Sequence, residues 1–450
     1  MSGSLFWAPA AWLGRCWRES VLFETDASGR WAAIAPETAP PAGAERLAGP
    51  ALPALVNAHS HAFQRAFVGL AERRDDERDD FWSWRDRMYG VALRITPAQL
   101  RAVATHLYTE LLAGGYTQVC EFHYLQHAED GSRYREPAAM AQALADAAAA
   151  AGIGLTLLPV LYERAGFAQP ALRPDQRRFA TTVADVLALQ RAVTGPLVNA
   201  GVAVHSLRAA RPESIAALRD GSQGPLHIHV AEQTAEVGDC LAATGCRPVE
   251  WLARHAGLDA RWQLVHATHS VAAEVDAVAA AGAGVVLCPA TEANLGDGLA
   301  DLRGWLGASV ALSVGSDSQV VRAWPEELRW LDYGQRLALR QRNVAAEPGR
   351  EPATAARLFE RMRAGGGAAA GFARWGFEPG ARADLLELDL GDDALQGLPV
   401  GHALDGLVFA APARPFRRTL VAGRWAARRA DSVTGFTQAM HALWGAPSGG

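Results

Sequence analysis

The chain contains no lysine; all 43 of its basic residues are arginine. No Schiff-base lysine is therefore available, and no carboxylated lysine can bridge two metal ions. Genomic codon bias is the ordinary reading of such an absence, and its chemical consequence stands either way. Cysteine is nearly as scarce. Cys16, Cys120, Cys240, Cys246 and Cys288 are scattered, with no Cys-x-x-Cys pair. An odd, sparse set points to reduced thiols in a cytoplasmic protein. Long apolar runs are missing too. The Ala-rich stretch 138–151 holds Asp146 and is too short to span a bilayer, so it reads as a helix. Residues 1–7 lack the basic region and apolar core of a signal peptide. There is no excess of positive charge: the net charge of -5 leaves no footprint for nucleic acid or an anionic membrane.

What is present is a large hydrophobic complement, half of 450 residues, enough for one big domain and a smaller one. Residues 1–50 read as short strands between Gly/Pro-rich loops. From residue 51 the texture changes to short apolar runs alternating with helical patterns. The runs are 52–56, 118–121, 155–161, 202–205, 226–230, 263–266, 284–288 and 309–314. Helices are expected between most of them, for example at 97–113, 137–151, 175–192, 212–219 and 235–255, with closing helices at 325–344 and 352–371. Eight such strands alternating with helices predict an α/β fold, a parallel (β/α)8 barrel of the TIM type over 51–374. Residues 375–450 return to a strand-and-turn texture. Both chain ends, 1–50 and 375–450, are expected to form one small β-sandwich domain beside the barrel.

In such a barrel the catalytic groups sit at the carboxyl ends of the strands. His59-Ser60-His61 follows the first run, His227 and His229 lie in the fifth, His266 ends the sixth, and Asp317 follows the eighth. Taken singly, each has an ordinary role: a core histidine, or an aspartate capping a helix. Together, in register with the strand ends, they predict a metal site. Three imidazoles and a carboxylate satisfy a catalytic zinc and leave room for water. Alternation points His227 and His229 the same way, so spacing does not choose between them; His269 competes with His266 in the same manner. Glu232, three residues past His229, is placed to move protons, although a glutamate there also suits a helix N-terminus.

His59-Ser60-His61, His229-Val230-Ala231-Glu232, His266 and Ser316-Asp317-Ser318 together resemble the mononuclear deaminase branch of the amidohydrolase superfamily. The resemblance implies one Zn²⁺ per subunit on His59, His61, His229 and Asp317. It implies Glu232 as proton shuttle, His266 as the group polarising the electrophile, and Asp317 as a catalytic as well as a ligating residue. It thus selects His229 over His227 and His266 over His269, and the missing lysine agrees with one metal rather than two.

Four further segments narrow the substrate: 57–65 with Gln64, 81–89 in a long loop after the first strand, 121–125, and 204–208. Arg85, Arg208, His205 and Tyr124 are donors, and arginine forks match carboxylates. Trp82 and Trp84 are expected to pack within their loop. These segments resemble the formimidoylglutamate deiminase family, which hydrolyses N-formimidoyl-L-glutamate to N-formyl-L-glutamate and ammonia in histidine degradation. The resemblance implies that Gln64 and Glu232 address the formimidoyl group. Tyr124, His205 and Arg208 would hold the glutamate part, and Arg85 would reach a carboxylate. Arg85 would serve either its own site or that of a neighbouring subunit, the second implying a homodimer. The nearest alternative is another mononuclear deaminase of the superfamily, acting on a nucleobase or pterin.

Overall fold

The structure, a computed structural model, describes residues 3–74, 81–411, 416–426 and 431–445. Its centre is a barrel of eight parallel strands: β1 (Leu55–Ser60), β2 (Tyr116–His123), β3 (Gly154–Leu161), β4 (Val202–Val204), β5 (Leu226–Val230), β6 (Trp262–His266), β7 (Gly284–Leu287) and β8 (Ala311–Val314). A short extra strand, Val198–Ala200, pairs with β3. Strand side chains are buried almost throughout, as expected where helices cover one face and the barrel interior the other. That burial on both faces explains why these runs read as continuous apolar stretches and not as alternation.

The apolar run at 52–56, with Ala51 before it, turns out to belong to two sheets. Ala51–Leu52 pairs with the outer sheet, and β1 begins only at Leu55. Pro53 lies between them; it has no N–H to donate, so it interrupts a ladder. β1 consequently extends through His59 and Ser60, and His61 is the first residue beyond it. Two expected helices are also divided. The stretch 175–192 becomes a 3-10 turn, Pro174–Phe179, and a helix, Val183–Ala192, capped by Thr182. The stretch 235–255 becomes Thr234–Thr244 and Pro248–Trp251, continued by a π-turn, because Gly245 takes φ 75 and Pro248 restarts the chain. The expected loop 81–89 is instead a helix, Phe81–Ala92. The side chain of Trp82 lies outside the described residues, whereas Trp84 packs edge-on against Phe67 at 5.9 Å.

The second sheet is built from both chain ends. Leu5–Leu13, Cys16–Thr25, Trp31–Ala35 and Ala51–Leu52 join Leu385–Leu388, Phe416–Val421 and Arg424–Trp425, over a core that includes Phe6, Phe23, Trp31, Leu385 and Leu420. It is tied to the amino end of β2, away from the site. Arg382 pairs with Asp384 at 2.7 Å and donates to Gln118 Oε1 and Thr117 O, while Thr117 Oγ1 donates to Asp384 at 2.7 Å. No helix among the described residues is long and apolar enough to cross a membrane. Cys120, Cys240, Cys246 and Cys288 are buried and Cys16 is exposed, all as free thiols.

Arg178 organises the catalytic face. Fully buried, it donates to Ala92 O at 2.6 Å, Ile95 O at 2.9 Å and His127 O at 2.7 Å. It thereby joins the connections after β1, β2 and β3. Its replacement by leucine would orphan two buried carbonyls, each costing about 1–3 kcal/mol, and a third that is half-buried. Arg178→Leu is therefore expected to lower the denaturant midpoint substantially, and an unchanged midpoint would show that water replaces the guanidinium.

Candidate active site

The strand ends bring four predicted ligands together. His59 Nε2 lies 3.2 Å from His61 Nε2 and 3.0 Å from His229 Nε2. Asp317 Oδ1 is 3.4 Å from both His59 Nε2 and His61 Nε2. The backbone enforces this approach: Asp317 N donates to His59 O at 3.0 Å, and His61 N donates to Asp317 O at 3.2 Å. Asp317 sits at φ 45, a left-handed conformation costly for a non-glycine residue. Ala231, His266 and Ala267, at the ends of β5 and β6, are left-handed as well.

The arrangement fits a divalent metal. His61 Nδ1 donates to Phe122 O at 2.9 Å and His229 Nδ1 donates to His205 O at 3.0 Å. These bonds place the ring protons on Nδ1, so the Nε2 lone pairs face one another and a carboxylate. Burial pushes the His59 imidazole down to about 3 and lowers His61 and His229 as well. The rings therefore stay neutral, as ligands must. Converging lone pairs repel unless a cation lies among them, and two groups that share His59 are close enough to hold one, His59–His61–His229 and His59–His266–Asp317.

His227 occupies the same strand one layer deeper. Its Nε2 bonds to Ala369 O at 2.8 Å, away from the cluster. His269 bonds to Asp297 O at 2.9 Å and does not line the cavity. His266 does line it. Its Nε2 is 3.7 Å from Glu232 Oε1 and 3.9 Å from Asp317 Oδ2, and its Nδ1 is 3.4 Å from Glu292 Oε1. Burial opposes protonation of His266, but the Glu232, Glu292 and Asp317 carboxylates hold its affinity for a proton above the ordinary value. Burial pushes the Glu232 carboxyl in the same direction, upward, with Asp317 and Glu236 adding to it and His266 opposing. A carboxyl raised in this way is suited to taking and returning a proton near neutral pH.

One cavity connects these groups to Gln64, Arg85, Tyr124, His205 and Arg208. Gln64 is buried, its Nε2 reaches Tyr124 OH at 3.5 Å, and its Oε1 has no hydrogen-bond partner among the described residues. Burial, with Arg208 nearby, holds His205 well below its ordinary value, so it is neutral. Arg85 lines the cavity of its own chain, and its guanidinium lies 5.6 Å from the Tyr89 ring centroid.

The site also contains residues not anticipated from the sequence. Glu292 follows β7, a strand end left without an assigned group. Tyr162, directly after β3, lines the cavity and accepts a bond from Gln176 at 3.0 Å. The strand-end rule applied to every strand would have drawn attention to both. Glu236 accepts from Ala231 N at 3.3 Å and Glu232 N at 3.0 Å, so it braces the left-handed turn that presents Glu232. Glu236, and not Glu232, is thus the glutamate that serves the helix N-terminus.

Histidines and an aspartate converging beside a half-buried glutamate, at the carboxyl mouth of a parallel barrel, define a metal-dependent hydrolase. The chain belongs to the amidohydrolase family, whose profile matches residues 51–426. It is similar to a formimidoylglutamate deiminase from Pseudomonas aeruginosa, with 44% identity over 94% of this chain and 95% of that protein. A 5-methylthioadenosine/S-adenosylhomocysteine deaminase from Natronomonas pharaonis is 30% identical over 83% of this chain and 80% of that protein. Among solved structures, an amidohydrolase from Brucella melitensis superposes with a TM-score of 0.91 and 39% identity, covering 98% of this chain and 99% of that one. An adenosine deaminase from Xanthomonas campestris with bound zinc shares the fold, with a TM-score of 0.80 and 23% identity over 98% of both chains.

Proposed function

We propose that the protein hydrolyses N-formimidoyl-L-glutamate to N-formyl-L-glutamate and ammonia. The observation that carries this reading is a single cavity lined both by His61, His229, His266, Asp317 and Glu232 and by two guanidiniums, Arg85 and Arg208. A substrate that carries both an amidine and carboxylates matches that set of groups. The similarity to a formimidoylglutamate deiminase over nearly the whole of both chains supports it. The nucleobase alternative shares the metal cluster and would find aromatic rings and the Gln64 amide in the same cavity, but it gives no role to the two guanidiniums that line it.

We assign one zinc ion per subunit to His59, His61, His229 and Asp317. Bound there, it would lower the pKa of water towards neutrality and so supply the nucleophile. Glu232 takes the proton released from that water and delivers it to the terminal nitrogen of the amidine. Water oxygen bonds to the formimidoyl carbon; the hydroxyl so formed gives its remaining proton to Asp317, which passes it on to the departing nitrogen as the C=O forms, the bond to that nitrogen breaks, and ammonia leaves. Asp317, next to the attacking oxygen, fixes its direction. His266, aimed by Glu292 through Nδ1, stabilises the negative charge that develops on the oxygen at the tetrahedral centre. The free acceptor Oε1 of Gln64 suits an amidine N–H. Tyr124, His205, Arg85 and Arg208 bind the glutamate part.

Arg208→Gln is expected to raise KM roughly 10- to 100-fold, with a smaller effect on kcat, because a charge-assisted bond is lost. An unchanged KM would remove Arg208 from substrate binding. A homodimer and a cytoplasmic setting belong to the same reading. Light scattering on the purified chain tests the dimer, and a monomeric mass at working concentration would count against it. The substrate itself is tested by comparing ammonia release from N-formimidoyl-L-glutamate with release from a nucleobase panel.

A further inference from the structure

One seam of the barrel has no strand ladder. β1 and β8 meet at a single parallel bridge, Ser60 with Asp317, and at the two backbone bonds that flank it. The metal cluster straddles this seam, with His59 and His61 on one side and Asp317 on the other. Left to its backbone alone, the seam would let the two sides drift apart, and two of its residues adopt costly left-handed conformations, Asp317 at φ 45 and Gln319 at φ 70.

A row of fully buried polar side chains crosses the seam. Asn57 Nδ2 donates to Ser316 Oγ at 2.7 Å, and Ser316 Oγ donates to Gln319 Oε1 at 2.7 Å. Gln319 Nε2 donates to Ser60 Oγ at 3.0 Å and to Asp317 O at 2.6 Å. Ser60 Oγ donates to Glu121 Oε2 at 2.8 Å, and the same carboxylate receives Ala62 N at 2.5 Å and Tyr108 OH at 3.2 Å. Each member accepts from one neighbour and donates to the next, and the row ends on a carboxylate. Such a directional row polarises its own bonds, and no member can be removed without orphaning another. Its members touch the residues before, between and after the ligands, yet none of them lines the cavity.

We propose that Gln319 and Glu121, joined through Ser60, are positioning residues for the metal: they clamp the ligands of β1 against Asp317 across the unladdered seam. The proposal rests on the metal-ligand reading above and is independent of the substrate. Gln319 contributes the decisive link, because one amide holds both the Asp317 carbonyl and the hydroxyl between the two histidines.

The test is competition for zinc between the purified full-length protein and a chromophoric chelator of known affinity, with a denaturant midpoint recorded for each variant. Gln319→Leu, close in shape but unable to bond, is expected to weaken zinc binding roughly 10- to 100-fold. Ser60→Ala, a smaller change that interrupts the same row, is expected to weaken it in the same direction and keeps the test open if the first variant folds poorly. Thr117→Val removes a buried bond at the opposite end of β2 and is expected to keep wild-type zinc affinity. Wild-type affinity in both Gln319→Leu and Ser60→Ala would overturn the clamp. So would an equal loss in Thr117→Val, which would reduce the effect to general destabilisation. A higher substrate KM at saturating zinc with unchanged zinc affinity would also overturn it. A wild-type protein with no tight zinc site would instead contradict the metal reading itself.

Discussion

Glu232→Gln is expected to lower kcat by roughly 10²- to 10⁴-fold, the usual contribution of a positioned general acid–base group. The amide keeps the shape of the carboxyl and its place beside His266, where Oε1 now lies 3.7 Å from Nε2, but it cannot carry a proton. Zinc content should stay at the wild-type value, because Glu232 is outside the four-residue ligand cluster. Burial, which raises the carboxyl's affinity for a proton, is what makes it useful in both directions of transfer, so an exposed glutamate elsewhere could not substitute. Measured kcat together with metal analysis decides the matter. Full activity in the variant would end the shuttle role, whereas loss of zinc would make Glu232 a ligand.

Removing the metal should have an effect at least as large. Stripping the protein with a chelator is expected to abolish ammonia release, and adding zinc back should restore it. Several kcal/mol of transition-state stabilisation come from such an ion, which corresponds to roughly 10³-fold or more in rate. His229→Ala should produce the same loss with a lower metal stoichiometry. The ring it deletes carries one of three converging Nε2 atoms and is oriented by the His205 carbonyl at 3.0 Å. If the stripped protein turned over at the wild-type rate, the cluster would be a structural knot of histidines and the mechanism would have to be rebuilt around Glu232 and His266 alone.

Much of this was readable from residue order. The eight apolar runs and the ligands at their ends follow from two rules, burial of parallel strands on both faces and catalysis at their carboxyl ends. His59-Ser60-His61 could be placed because alternation sends both rings to one side. The choice between His227 and His229 could not be made that way, since both obey the same alternation. Depth along the strand separates them: His227 finds the Ala369 carbonyl and His229 finds His59. Helix ends were less legible. Gly245 stops one helix and Thr182 starts another at points where hydrophobic periodicity alone runs on, and Pro53 assigns Ala51 and Leu52 to another sheet. The residues that support the site were least visible. Glu292, Glu236 and Gln319 act through partners distant in the chain or through a turn, and neither periodicity nor spacing marks a polar residue whose partners are set by barrel closure.

The account stands most directly on one measurement: incubation of the zinc-loaded protein with N-formimidoyl-L-glutamate, followed by identification of both products. N-formyl-L-glutamate with one equivalent of free ammonia is the predicted result. Glutamate with formamide would mean that the other C–N bond breaks, and no reaction, alongside turnover of a nucleobase, would contradict the assignment of Arg85 and Arg208 to substrate carboxylates.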